Sequence, residues 1–97
     1  MNDITKEVKK NLLEGIISEL DKTDLYIDNV LDLSSAYQRV SSIHNNVDVE
    51  ENLLIEEVCL KLLTAFKNKH PEQVGFLSKA YQRILTVHQN NIYQGDK

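Results

Sequence analysis

The strongest constraint on the fold is a segment that occurs twice. Residues 30–46 read VLDLSSAYQRVSSIHNN and residues 74–91 read VGFLSKAYQRILTVHQNN, with equivalent positions 44 residues apart. In both copies one set of residues recurs at intervals of three and four, which places it on one side of a helix with 3.6 residues per turn. The two sets are Val30, Leu33, Tyr37, Val40 and His44, and Val74, Leu77, Tyr81, Ile84 and His88. The repeat therefore predicts two similar amphipathic helices.

A third helix is predicted before the first copy. Its apolar positions are Ile4, Val8, Leu12, Leu13, Ile16, Ile17 and Leu20. Its predicted outer side carries Lys6, Lys9, Lys10, Glu14 and Glu19. Asp3 is the predicted N-cap. Gly15 inside the helix marks either a close contact with another helix or a tolerated surface glycine, since glycine costs about 1 kcal/mol relative to alanine there.

A fourth helix is predicted between the copies, and it is the most apolar of the four. One face carries Leu54, Ile55, Val58, Leu62, Ala65 and Phe66, and this face is widened by Leu53, Cys59, Leu60 and Leu63. Asp48 and Glu51 have the spacing of a capping box at its start. We expect this helix to be the most buried one.

Together these patterns predict an all-α, antiparallel up-down-up-down four-helix bundle in a single domain. The predicted helices cover roughly residues 4–20, 25–44, 49–68 and 71–88, followed by a polar C-terminal tail over 89–97. Pro71 suits the first position of the last helix, because its missing N–H is not needed there.

The charge balance narrows the class of partner. Eleven basic and fifteen acidic residues give a net charge of -4, which disfavours binding to nucleic acid. No N-terminal signal pattern and no apolar run of about 18 residues is present, so at most peripheral membrane association is expected. The lone Cys59 agrees with a reducing compartment, and a cytoplasmic location is predicted.

Residue types used in catalysis and metal binding lack the neighbours that such chemistry needs. No Asp or Glu stands three residues before His44, His70 or His88, and neither His44 nor His88 begins a His-x-x-Lys-Gly phosphotransfer motif. Cys59 in an apolar helix is expected to be an inert core thiol. No phosphate-binding loop or nucleophile elbow is present. We therefore expect no enzyme activity, no cofactor and no metal.

The remaining possibility is that the protein acts by binding a partner through its surface. Each candidate binding residue can also be interpreted as a purely structural residue. Tyr37 and Tyr81 are either a binding pair or, as we favour, core residues whose hydroxyls reach the rim. Arg39 and Arg83 are expected to face solvent, where they can also grip carboxylates of a partner. The pseudo-symmetry of the repeat allows a monomer or a weak dimer. Acidic residues in line at Asp24, Asp28 and Asp32 complement the helix dipole or form a docking strip.

The order of these elements resembles the enterocin A immunity family, which protects producers of pediocin-like (class IIa) bacteriocins. The resemblance covers nearly the whole chain: a first helix ending in Ile-Ile-Ser-Glu-Leu at 16–20, a short Asp-rich link, and a second helix around 30–40. A third helix ending in Leu-Thr-Ala-Phe at 63–66 then meets a Lys-rich turn, and a proline begins the fourth helix before the polar tail.

The resemblance implies a four-helix bundle that is not an enzyme and acts in the cytosol. Members are thought to act on the mannose phosphotransferase permease, the receptor of the bacteriocin, and to block its pore when toxin is bound. The C-terminal half is associated with bacteriocin recognition, which here corresponds to residues 73–97. The candidate partner-binding residues are Arg83, His88, Gln89, Asn90, Asn91, Ile92 and Tyr93. The alternative is a small helical regulatory or adaptor protein that binds one protein partner.

Overall fold

The computed structural model of the chain describes the backbone of residues 2–22, 26–43, 46–68 and 71–95, and the side chains of 4–22, 26–43, 46–68 and 73–87. These residues form four helices, α1 (Asn2–Asp21), α2 (Ile27–Ile43), α3 (Val49–Asn68) and α4 (Pro71–Gly95). They pack against one another, so the predicted all-α four-helix bundle is confirmed. Over the described residues, none of the helices has the length and hydropathy of a membrane-spanning segment.

The helix ends differ from the prediction in two places. α1 begins at Asn2, so the backbone of Asp3 is already helical and Asp3 is not an N-cap. α4 continues to Gly95, so residues 89–95 are helical and do not form an irregular tail. Polar composition alone does not end a helix, and Gly95 is the first glycine or proline after Gly75. Pro71 opens α4 as predicted.

Each helix has two neighbours, and the neighbours are not simply those next in sequence. α1 and α4 each pack against both α2 and α3. Over the described residues, the backbones of α1 and α4 lie diagonally opposite, as do those of α2 and α3, although the Tyr37 side chain of α2 reaches Glu51 of α3. The connection from α2 to α3 therefore crosses one end of the bundle diagonally. Of the four packed pairs, α3 and α4 make the least extensive contact.

Contacts between the helices fix their directions. Glu19 near the end of α1 accepts a hydrogen bond from Asn29 near the start of α2 at 3.2 Å, as expected for antiparallel helices. α1 and α3 are parallel, because Lys6 approaches Asp48 at 3.8 Å while Asp21 approaches Lys61 at 2.6 Å. The chain thus reverses direction at each connection, whereas the diagonal step makes α1 and α3 parallel neighbours.

The core is apolar and draws on all four helices. Its buried residues are Leu13, Ile16, Val30, Tyr37, Ile55, Val58, Leu62, Ala65, Leu77, Ala80, Ile84 and Val87. Over the described residues α3 supplies more buried residues than any other helix, as expected, although its Leu53, Leu60 and Leu63 are exposed. Ile4 and Val8 of the predicted α1 stripe are exposed as well.

The two copies of the repeat bury different faces. α2 buries Val30, Ser34, Tyr37 and Ser41. α4 buries Leu77, Ala80, Ile84 and Val87, which are equivalent to Leu33, Ala36, Val40 and Ile43. The buried lines are offset by one residue, and one residue is a rotation of about 100° around a helix. Similar sequences therefore lie in different orientations, and the predicted common stripe is only partly correct.

Tyr81 and Arg83 are corrected by this rotation. Tyr37 is a core residue with 0% exposure, whereas the equivalent Tyr81 is 37% exposed and is not in the core. Arg39 faces solvent as predicted. The equivalent Arg83 is half-buried, and its Nη1 donates to Leu31 O of α2 at 3.1 Å and approaches Ser34 Oγ at 3.4 Å.

Gly15 and Gly75 should both tolerate alanine. A Cβ atom at Gly15 would lie 3.4 Å from Leu33 Cδ1, the mobile end of a side chain on α2, and one at Gly75 would meet nothing within 4 Å. Because glycine is costly inside a helix, Gly15→Ala and Gly75→Ala should each raise the free energy of unfolding by about 0.5–1 kcal/mol. Urea unfolding followed by circular dichroism measures both. A lower midpoint for Gly15→Ala alone would mean that α1 and α2 need the glycine to approach.

Candidate functional site

An open apolar groove lies between α3 and α4. It has a volume of about 690 Å³ and is lined by Ile55, Glu56, Cys59, Leu60, Leu63, Phe66, Tyr81 and Leu85. We call it the α3–α4 groove. Its floor is continuous with the core through Ile55, and Leu60, Leu63 and Tyr81 expose much of their surface. Exposed apolar surface of this kind commonly marks a binding site.

The groove follows from the sequence of α3. The apolar face of this helix is wider than its neighbours can cover, since α1 and α4 both lie on the side of Ile55, Val58 and Leu62. Leu60 and Leu63 fall outside that line and remain exposed. Phe66 of α3 meets Tyr81 of α4 edge to face, with ring centroids 6.5 Å apart, and this contact forms one end of the groove.

The polar groups among the lining residues are the Glu56 carboxylate, the Cys59 thiol and the Tyr81 hydroxyl. Asn52 Nδ2 approaches Glu56 Oε2 at 3.4 Å, which directs the carboxylate along the helix surface. Burial raises the pKa of the half-buried Cys59 thiol, and the negative charge of Glu56 raises it further. A raised thiol pKa means less thiolate at neutral pH, as the predicted inert thiol requires.

Cys59 should therefore react slowly with thiol reagents. Its rate of reaction with a small aromatic disulfide should rise with pH, with a midpoint above the ordinary thiol value of about 8.5. Glu56→Gln should lower that midpoint, because it removes the nearby negative charge. Stopped-flow absorbance measurements of the reaction rate over a pH series test both expectations. A midpoint at or below that of a free cysteine peptide would contradict the burial of the thiol.

A buried polar cluster, unexpected from the sequence, lies at the end of the bundle where α1 and α3 begin. Lys9 and Glu51 are both 0% exposed, and Lys9 Nζ lies 3.1 Å from Glu51 Oε2. Tyr37 Oη donates to the same oxygen at 2.6 Å, and Lys9 Nζ also donates to Asn46 O at 3.0 Å. Burial and the adjacent Glu51 carboxylate raise the pKa of Tyr37, which keeps its hydroxyl a donor. We call this the Lys9–Tyr37–Glu51 cluster.

The prediction that Lys9 lies on the outer side of α1 is wrong, because Lys9 is buried in this cluster. The cluster links α1, α2 and α3 to the connection between α2 and α3. The start of α3 is held in addition by Asp48, whose Oδ1 accepts the Glu51 N–H at 2.8 Å in the predicted cap. This hydrogen bond is the main reason why the pKa of Asp48 lies below its ordinary value. The reciprocal half of a capping box is not used, because the Glu51 carboxylate turns inward to Lys9 and Tyr37.

The structure describes the side chain of only one of the predicted partner-binding residues, Arg83. Arg83 binds α2, so its guanidinium holds two helices together and is not a free surface cation. The backbone of residues 88–93 continues α4. Side chains of His88, Gln89, Asn90, Asn91, Ile92 and Tyr93 lie outside the described residues, as do His44 and His70. Their proposed roles stay predictions.

Sequence reasoning missed the α3–α4 groove, although Leu60 and Leu63 were noted as widening the apolar face of α3. In the part of the chain that the structure describes, no group of three or more His, Cys, Asp and Glu residues is placed to hold a metal ion. No protein-family model, no curated protein and no solved structure matches this chain.

Proposed function

We propose that this chain is a binding protein without enzyme activity that protects a cell from a pediocin-like bacteriocin. It acts from the cytosolic side on the receptor of the toxin, the mannose phosphotransferase permease. The observation that carries the proposal is the α3–α4 groove, an exposed apolar surface in a small acidic bundle. The resemblance of the chain to the enterocin A immunity family supplies the biological role.

Two further features support a partner-binding role for the C-terminal half. The groove places Tyr81 and Leu85, which belong to the region that the resemblance associates with recognition, beside the apolar face of α3. α4 continues for seven residues past its predicted end at residue 88, and this extension includes the candidate residues 89–93. A helix presents such residues at lower entropic cost than an irregular tail does.

Expression in the cytosol of a sensitive strain tests the proposal. The strain is challenged with a panel of pediocin-like bacteriocins, and a strain carrying the empty vector serves as the control. Survival against one or a few of them is the expected result. Equal killing of both strains by every bacteriocin would overturn the protective role.

A regulatory or adaptor protein is the second candidate, and the same groove supports it. A groove formed by only two helices suits one helical segment of one partner. In that case the chain protects against none of the bacteriocins, and a crosslinker placed at Leu60 captures one protein from the native lysate. Capture of the permease only when toxin is present would favour the protective role instead.

A further inference from the structure

The α3–α4 groove carries one charged side chain among apolar ones. Of the lining residues, only Glu56 is ionisable at neutral pH once the raised pKa of Cys59 is considered. The remaining lining is aliphatic or aromatic, so a bound partner would present an apolar face beside one group that meets a carboxylate. An apolar face alone would leave Glu56 covered and uncompensated, which is unfavourable.

The spacing along α3 gives the groove a length. Cys59, Leu60 and Leu63 follow Glu56 by three, four and seven positions, and Phe66 continues the line. Ten residues from Glu56 to Phe66 correspond to about 15 Å of helix, or nearly three turns. A groove of this length between two helices accepts a third helix, whose apolar side chains sit between the ridges of α3 and α4.

The end opposite Glu56 also favours positive charge. Phe66 and Tyr81 form an edge-to-face pair there, Tyr81 is 37% exposed, and aromatic rings attract cations. The whole chain carries a net charge of -4, which attracts a basic partner over longer distances. The same charge opposes an anionic lipid surface and a second copy of this chain.

We infer that the occupant of the α3–α4 groove is a cationic amphipathic helix of about three turns. Its apolar face packs on Leu60 and Leu63, and a Lys or Arg at one end pairs with Glu56. The inference rests on the proposed function and specifies the chemistry of the partner. The partner segment is thus recognised by an apolar stripe together with a basic residue.

Two synthetic helical peptides test the inference with the full chain. Both carry leucines at positions i, i+3, i+4 and i+7, and one has a lysine where the other has a glutamate, placed to reach Glu56. Fluorescence anisotropy measures binding. The lysine peptide should bind about tenfold more tightly, and Glu56→Gln should weaken it about two- to fivefold, as expected for an exposed ion pair. Glu56→Lys should reverse the preference.

Glu57→Gln is the matched control. It removes the same charge one residue away, but Glu57 lies on the side of α3 that faces α1, near Lys10, Glu14 and Leu53. The affinity of the Glu57→Gln variant for the lysine peptide should equal that of the unmodified chain. Leu60→Asp, in contrast, should abolish binding of both peptides.

Several results would overturn the inference: equal affinity for both peptides, no binding of either, or binding that survives Leu60→Asp. Binding to phosphatidylglycerol vesicles that is lost in Leu60→Asp would identify a membrane as the occupant and also overturn it. Peptide binding that depends on Glu56, in a chain that gives no protection, would support the inference while the proposed function fails. Protection that needs Leu60 but is unchanged in Glu56→Gln would support the proposed function and overturn the inference.

Discussion

Glu51→Ala should lower the free energy of unfolding by about 3–5 kcal/mol. The substitution removes the carboxylate that lies 3.1 Å from the buried Lys9 ammonium and accepts the Tyr37 hydroxyl at 2.6 Å. Both groups would then be buried without that partner, and the desolvation of an ammonium is the larger cost. Urea unfolding monitored by circular dichroism measures the loss, as a lower midpoint at an unchanged slope.

Glu50→Ala is the control for this substitution. The Glu50 side chain is 80% exposed and pairs with Lys10 at the surface, at 3.3 Å, so its removal should change stability by less than about 1 kcal/mol. The double variant Lys9→Met with Glu51→Leu should recover most of the stability, because apolar residues of similar size can replace a buried ion pair. Equal stability of Glu51→Ala and Glu50→Ala would show that the cluster is not buried as described.

Tyr37→Ala should destabilise the protein by about 3–5 kcal/mol, and Tyr81→Ala by about 1 kcal/mol. The two tyrosines occupy equivalent positions of the repeat, but Tyr37 is 0% exposed and Tyr81 is 37% exposed. Tyr37→Ala opens a cavity in the core and takes a donor from Glu51. Tyr81→Ala loses mainly the edge contact with Phe66.

The pair of variants tests whether α2 and α4 are rotated relative to each other. Both are compared by urea unfolding under the same conditions, and Tyr37→Phe separates the hydroxyl from the ring. Tyr37→Phe should cost less than Tyr37→Ala, because the ring still fills the core. Similar losses for Tyr37→Ala and Tyr81→Ala would mean that the two copies bury the same face.

Helix number, helix type and much of the core could be predicted from the sequence, because apolar spacing reports on local periodicity. α3 begins next to Asp48 and α4 begins at Pro71, where cap and proline signals are strong. The end of α4 could not be predicted in this way. Residues 89–94 are polar apart from Ile92 and Tyr93, but they contain neither glycine nor proline, so composition does not show where the helix stops.

The order of the helices in space could not be predicted from local patterns either. The offset between the buried faces of α2 and α4 depends on which helices flank each of them, and that is a property of the assembled bundle. The same sequence motif therefore buries Tyr37 in one helix and leaves Tyr81 at a groove in the other. Arg83 shows the same effect. Its guanidinium donates to α2, whereas the equivalent Arg39 faces solvent.

The sequence contains a pattern that indicates the Lys9–Tyr37–Glu51 cluster, although the charges of Lys9 and Glu51 suggest exposed positions. Lys9 precedes Leu13 and Ile16 by four and seven positions, and Glu51 precedes Ile55 and Val58 by the same intervals. Each charge thus occupies the first position of a buried line. Opposite charges at matching positions of two helices predict a buried pair once the helices are known to be parallel neighbours.

The surface available to a partner follows from the same packing. α1 and α4 both pack on the buried side of α3, and the exposed apolar residues of α3 lie on the two flanks of that side. Leu60 belongs to the α3–α4 groove, and Leu53 lies toward α1 with Lys10 and Glu57. The two leucines are 65% and 59% exposed, respectively, so they form a matched pair on one helix.

Survival of a bacteriocin-sensitive strain that expresses Leu60→Asp or Leu53→Asp shows whether the α3–α4 groove is the protective surface. Both variants place the same charge at similarly exposed positions, so both should fold and accumulate equally, which immunoblotting and circular dichroism verify. Leu53→Asp should protect as well as the unmodified chain, and Leu60→Asp should fail to protect. Full protection by Leu60→Asp, against a bacteriocin that the unmodified chain resists, would contradict a function carried by the groove.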